Sequence, residues 1–358
     1  MRRLLVLTGC LCSVCGCSLG PVNTSPFSSD SAVRRIDPND APFKIIEIHA
    51  PDPNTGQVRL TRAVQWGEAE IKSSLDGPRT FTARYRDFDY RLFSKVLVRI
   101  RLGDGHRCWA WVDTGCPMGL YVNDAVVRDC DLAVFPLGTH TATGCPVGIC
   151  EVPVLQIGQA AVTNPPCWYE QRQWEFRVFG RPLYRDRTVL LGLRFLRVFP
   201  YVLFDNAGRE AVFGLYDAFE PNDPSEWVSL PFVLEQADGG PRMMIDIFLG
   251  ERKTHVEFDT GGAKPGLILR ESVWQELGGA AGTKGRHASY QFGWLACRRV
   301  VVPELRVGPL TLRNRKADVL AHDSPLMESL EGILSLDYFK RTTVVLDFRK
   351  NLIWIRKS

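Results

Sequence analysis

The sequence has little histidine, a residue on which metal and nucleophile chemistry is often built. Its six histidines (His49, His106, His140, His255, His287 and His322) are scattered. No two stand at the His-x-x-x-His spacing that puts both on one helix face. Each is read as a solvated or structurally bonded histidine. No Gly-x-Ser-x-Gly elbow, phosphate-binding loop or dinucleotide fingerprint occurs. No metal and no cofactor is therefore expected. Net charge is only +4 over 358 residues, and no basic cluster is interleaved with aromatics. Nucleic acid is not an expected partner. Helical periodicity is sparse: short alternating apolar runs are broken by Gly and Pro turns, as in an all-β protein. The length points to two domains.

What the sequence does have is a repeated stretch. Trp111-Val112-Asp113-Thr114-Gly115 and Glu257-Phe258-Asp259-Thr260-Gly261 each lead an apolar run into Asp-Thr-Gly. One such triplet alone is ordinary turn chemistry. Its surroundings repeat as well. Val96–Gly103 and Met243–Gly250 both alternate like half-buried strands and end in Leu-Gly. Val152–Gly158 matches Val302–Gly308, and Leu190–Leu196 matches Ile333–Phe339. Asp259 follows Asp113 by 146 residues, Pro303 follows Pro153 by 150, Ser335 follows Gly192 by 143 and Asp347 follows Asp205 by 142. Four landmarks in one order at nearly one offset indicate an internal duplication. Each copy is long enough to bury its own core.

With these motifs, residues 82 to 358 resemble the aspartic proteases, in particular retropepsin-like domains fused in tandem into a pepsin-like bilobal protein. The resemblance implies two homologous β-barrel lobes related by a pseudo-twofold axis, with an active-site cleft between them. Lobe 1 would span 82–216 and lobe 2 227–358, joined by a Pro-containing linker at 217–226. It implies an endopeptidase dyad of Asp113 and Asp259. Thr114 and Thr260 would bond across to the opposite loop, and Gly115 and Gly261 would let backbone N–H groups approach the carboxylates. Gly192 and Ser335 would occupy the position that passes behind each loop. A flap hairpin is expected in each lobe, around Gly144, Cys145 and Gly148 in the first and around Tyr290 and Phe292 in the second. The expected partner is an extended peptide or protein. The duplication makes pairing of two chains unnecessary, so a monomer is expected. The alternative is a catalytically inactive relative that binds extended peptides in the same cleft.

This chain departs from the family pattern at three points. Cys116 and Gly262 follow the two triplets where a Ser, Thr or Ala is usual. Ser335 stands where a Gly is expected. No flap tyrosine can be placed in the first lobe.

The ends carry no site chemistry. Met1-Arg2-Arg3, a short apolar run and small residues read as a secretory leader, 1–17, too short to span a bilayer as a mature helix. Leu7-Thr8-Gly9-Cys10 resembles a bacterial lipobox, and Val14-Cys15-Gly16-Cys17 gives a better length with a poorer motif. Cys17 is the favoured lipidation site and Cys10 its rival; an unlipidated leader is the third reading. The protein is accordingly expected to be exported and membrane-anchored. Residues 18–41, rich in Ser, Pro, Asn and Asp, read as a tether, and 42–81 as a β-rich extension. Of the eleven cysteines, Cys108, Cys116, Cys130, Cys145, Cys150 and Cys167 lie in the first copy. Export permits disulfides there, with Cys145 and Cys150 as one candidate staple and buried reduced thiols as the other reading. Cys297, alone in the second copy, is expected to be free.

Overall fold

The computed structural model describes residues 43–51, 58–66, 70–72, 79–103, 105–139, 145–171, 175–178, 181–185, 187–237, 240–262, 264–289 and 292–357. Strands dominate. In order they are β1 (Phe43–Pro51), β2 (Val58–Trp66), β3 (Glu70–Lys72), β4 (Thr80–Arg84), β5 (Leu97–Leu102), β6 (His106–Val112), β7 (Leu120–Asn123), β8 (Val134–Thr139), β9 (Pro146–Cys150) and β10 (Val154–Ile157). Then follow β11 (Ala160–Thr163), β12 (Cys167–Glu170), β13 (Glu175–Val178), β14 (Arg181–Arg185), β15 (Thr188–Leu191), β16 (Tyr201–Asp205), β17 (Glu210–Gly214), β18 (Trp227–Pro231) and β19 (Val233–Ala237). The last are β20 (Gly240–Leu249), β21 (Arg252–Asp259), β22 (Leu267–Arg270), β23 (Thr283–Ser289), β24 (Gly293–Val307), β25 (Leu310–Leu320), β26 (Gly332–Ser335), β27 (Thr343–Asp347) and β28 (Leu352–Arg356). Among the described residues no helix is long and apolar enough to cross a membrane.

The duplication seen in the sequence reappears in the strand pairing. In the ten-stranded sheet β5, β6, β15, β7, β12, β9 and β8 are successive neighbours. In the eight-stranded sheet the same places are taken by β20, β21, β26, β22, β25, β24 and β23. The sense of pairing matches too. β6 runs parallel to β15 as β21 does to β26, and β7 runs parallel to β12 as β22 does to β25. Parallel neighbours need a crossover rather than a hairpin, so this pattern is not a generic meander. β9 and β10 correspond to one long strand, β24, which pairs with β25 and also with β20.

A six-stranded sheet, β18-β28-β27-β16-β17-β4, takes strands from both halves. Its junction is β16 against β27, from Tyr201↔Asp347 to Asp205↔Thr343. Behind the sheets the apolar faces merge into one core that includes Ile100, Val112, Phe195 and Phe213 from the first half and Ile247, Phe258, Val302 and Leu346 from the second. Of the expected N-terminal extension, β1 pairs among the described residues only with β2, whereas β3 adds to β11 at the edge of the ten-stranded sheet.

The expected cysteine staple is not present. Cys145 immediately precedes β9 and Cys150 ends it. Five residues of extended strand separate their Cα atoms by about 16 Å, beyond the reach of a disulfide. No disulfide joins any of the seven described cysteines, Cys297 included. Cys108 and Cys130 have their sulfurs 3.7 Å apart.

Candidate active site

Each Asp-Thr-Gly stands at the end of a strand that is gripped on one side by a parallel neighbour. Val112 pairs with Leu191, the residue before Gly192. Asp259 pairs with Ser335 itself. The strands before the triplets alternate: in β21, Thr254, Val256 and Phe258 are buried toward the core, while His255, Glu257 and Asp259 fall on the opposite face. The two loops therefore meet with their aspartates on the side away from the core.

The threonines lock the two loops together. Thr114 Oγ1 donates to the Phe258 carbonyl at 2.7 Å and accepts from the Thr260 backbone N–H at 2.9 Å. Thr260 Oγ1 donates to the Val112 carbonyl at 3.1 Å and accepts from the Thr114 N–H at 3.0 Å. Both side chains are fully buried. Each hydroxyl uses its proton on one strand end and a lone pair on the neighbouring loop, so all four backbone groups are satisfied without water.

The carboxyls lie close enough to act on each other's protonation. Gly115 N–H donates to Asp113 Oδ1 at 3.0 Å and to Asp259 Oδ1 at 3.2 Å, and Gly261 N–H donates to Asp259 Oδ1 at 2.7 Å. Space dictates glycine here. A Cβ on Gly115 would sit 2.6 Å from Asp259 Cγ, and one on Gly261 would overlap the Asp113 carboxyl. Burial pushes the Asp113 carboxyl well above the usual carboxylate range, and the Asp259 charge pushes it further. Burial raises Asp259 as well, while hydrogen bonds from Asp113 and from the backbone at Gly261, Gly115 and Gly262 hold it down. The two protons belong to the pair rather than to either residue.

Two of the departures noted in the sequence, Gly262 and Ser335, prove to be one exchange of space. Gly192 N–H donates to the Gly119 carbonyl at 2.7 Å, and Ser335 N–H donates to the Gly266 carbonyl at the same distance. Backbone placement is thus alike. In the first half Gly192 faces loop backbone: an added Cβ would overlap the Met118 carbonyl and lie 2.7 Å from that of Cys116. In the second half the side chain sits on Ser335, and the loop residue facing it, Gly262, is the one that lacks a side chain. A Cβ on Gly262 would lie 2.7 Å from Ser335 Cβ. Ser335 Oγ also accepts from the Asp337 N–H at 3.3 Å, capping the short helical turn Leu336–Phe339.

The flap expectation meets the structure unevenly. Cys145 and Gly148 are buried, and Gly148 lies within β9, where an added Cβ would press on the Phe135 carbonyl of β8. Gly148 is therefore a packing glycine, not a turn residue. Gly144 and Tyr290 lie outside the described residues, as do Cys10 and Cys17. Phe292 stands at the turn between β23 and β24, its N–H donating to Ser289 Oγ at 3.2 Å. His255 is structural, as expected. Its Nδ1 lies 2.8 Å from Asp246 Oδ1 and its Nε2 2.9 Å from Glu235 Oε1. Burial opposes its protonation, but the two carboxylates outweigh that and raise its pKa. Among the described residues no group of three or more His, Cys, Asp or Glu is arranged to hold a metal.

The sequence reading missed Glu257. Strand alternation puts it on the face of Asp259, the argument already applied to His255, and a carboxylate between Val256 and Phe258 is an unusual strand-centre residue. Its cross-strand neighbours are Met244 on β20 and Ile333 on β26. The same place in the first half is Trp111, between Leu97 and Leu190. Those three residues and Tyr121 form a small apolar cluster apart from the main core.

No family model matches the sequence, and no curated protein does. Among solved structures, a retropepsin-like aspartic protease from Rickettsia conorii is similar at 17% identity over 37% of this chain and 90% of its own, with a TM-score of 0.28. The structure of edgp is similar at 12% identity over 78% of this chain and 95% of its own, with a TM-score of 0.46.

Proposed function

We propose that this protein is an aspartic-type endopeptidase whose two halves form two lobes, with Asp113 and Asp259 as a proton-sharing dyad in the cleft between them. The observation that carries this reading is the juxtaposition of the two carboxyls across the reciprocal Thr114–Thr260 bonds. Like charges this close cannot both ionise, so one carboxylate acts as base while the other keeps a proton. The base takes a proton from a water held between the carboxyls, and the water oxygen attacks the scissile carbonyl carbon. The acid donates its proton to the carbonyl oxygen, giving a neutral tetrahedral diol. Collapse then returns a proton to the amide nitrogen as the C–N bond breaks. The Gly115 and Gly261 N–H groups stabilise the carboxylate form and fix its orientation. Hairpins β8–β9 and β23–β24 are the candidates for closing over a substrate. Export and anchoring through Cys17, or through its rival Cys10, complete the proposal and rest on the leader sequence alone.

The test uses the full chain in detergent, incubated with a diverse peptide mixture from acid to neutral pH, with Asp113→Asn and Asp259→Asn alongside. Cleavage by the parent that disappears in both variants is the expected result. Cleavage that survives either substitution overturns the dyad. Absence of cleavage by protein shown to be folded, together with measurable binding of the same peptides, would favour the silent binder of extended peptides.

A further inference from the structure

Glu257 is 6% exposed, and its side chain makes no hydrogen bond or ion pair with any described residue. Its carboxyl oxygens are not among the described side-chain atoms cut off from water without a partner, so a ligand group can reach the carboxyl and supply that partner. Arg242, the cation whose charge acts on Glu257, lies further along the Met244 strand and donates through Nη1 to Ser329 Oγ at 2.6 Å. Glu257 sits two residues before Asp259 on the same face of one strand, about 6.6 Å away along the chain. A peptide that runs extended along this strand past the two aspartates carries its side chains at that same spacing, which would bring the side chain next to the cut bond to Glu257. Beside the carboxyl stand Met244 and Ile333, both apolar and buried. Apolar walls with a carboxylate between them match an aliphatic stem that ends in a cation. The corresponding wall on the Asp113 side is Trp111, which offers no such charge.

We propose that Glu257 is a specificity-determining carboxylate that receives a lysine or arginine side chain of the substrate, adjacent to the scissile bond on the Asp259 side. This rests on the endopeptidase reading only for the path of the peptide.

Burial pushes Glu257 up to about 8, with the Asp259 charge adding to the rise and Arg242 opposing it. The charged groups on its face are Asp259 and His255 on its own strand, Arg242 and Asp246 on β20, Glu331 ahead of β26, and Asp113 from the facing loop. A bound ammonium favours the ionised form. Selection for a basic residue therefore strengthens as pH rises from acid toward about 8.

The experiment compares matched peptides bearing Lys, norleucine or Glu on either side of the central bond. Cleavage rates are read with the full-length protein, and affinities are read with versions whose central amide is N-methylated to block cleavage. Glu257→Gln and Glu257→Leu run alongside, with folding checked by circular dichroism. The parent should favour Lys over norleucine by about tenfold or more, the preference growing with pH, and both variants should lose it. Lys-selective binding that vanishes in both variants, without cleavage of any peptide, would sink the peptidase reading and leave this subsite standing. Cleavage without Lys preference would do the reverse. A preference that survives Glu257→Gln, or a failure to bind any peptide, overturns the proposal.

Discussion

Gly262→Ala should destabilise the protein, and the loss should depend on residue 335. The new Cβ would lie 2.7 Å from Ser335 Cβ and 3.3 Å from Asp259 O and Oδ2. The first contact is far inside van der Waals distance, while the other two are tight but tolerable with small shifts. Both residues sit on backbone pinned by hydrogen bonds, Gly262 N–H to the Asp259 carbonyl and Ser335 N–H to the Gly266 carbonyl, so neither relaxes freely. Overpacking of this kind costs about 1–3 kcal/mol. Ser335→Gly alone removes the cap on Asp337 N–H and adds backbone freedom, for about 0.5–1 kcal/mol. In the double variant the 2.7 Å contact no longer exists. The Gly262→Ala loss should then shrink, leaving a favourable coupling of about 1–2 kcal/mol in a double-mutant cycle. Urea unfolding of the parent, both single variants and the double variant gives the number. An additive result, or a neutral Gly262→Ala in the parent, would refute the claim that these two positions exchange one side chain's worth of space.

Two other outcomes follow from the same site. Thr114→Val strands the Phe258 carbonyl and the Thr260 N–H, both buried, and should destabilise by about 2–5 kcal/mol in the same assay, with Thr114→Ser recovering most of it. Raised carboxyl pKa values mean that the folded protein binds more protons than the unfolded chain. The stability they contribute is full below the ordinary carboxylate range and is lost as pH rises through the folded values. Between about pH 5 and 8 Glu257 alone should contribute a slope of about 1.4 kcal/mol per pH unit, and Glu257→Gln should flatten the stability–pH curve there by that amount.

Much of this was legible in the sequence because the physics involved is local or repeated. Alternation located the strands before Asp113 and Asp259, and a near-constant offset between copies became a shared pairing order. The relation of Gly262 to Ser335 was not legible. The two residues are far apart in the chain and meet only because β21 and β26 pair in parallel, so each read as a separate defect. The candidate Cys145–Cys150 staple failed because Gly and Pro in Pro146–Cys150 resemble a turn, whereas the segment is a buried strand whose length keeps the two cysteines apart; the reading of buried reduced thiols held. Glu257 was readable from its period with Asp259, yet its burial depends on Met244 and Ile333 from other strands.

The most direct test of the dyad is kcat/KM for one cleaved peptide in the parent, in Asp113→Asn, in Asp259→Asn and in the double variant. If the two carboxyls act as one proton-sharing unit, each single substitution removes activity by several orders of magnitude and the double is no worse than either. A single variant that keeps most of its activity, or a double whose loss is the product of two independent losses, would contradict it.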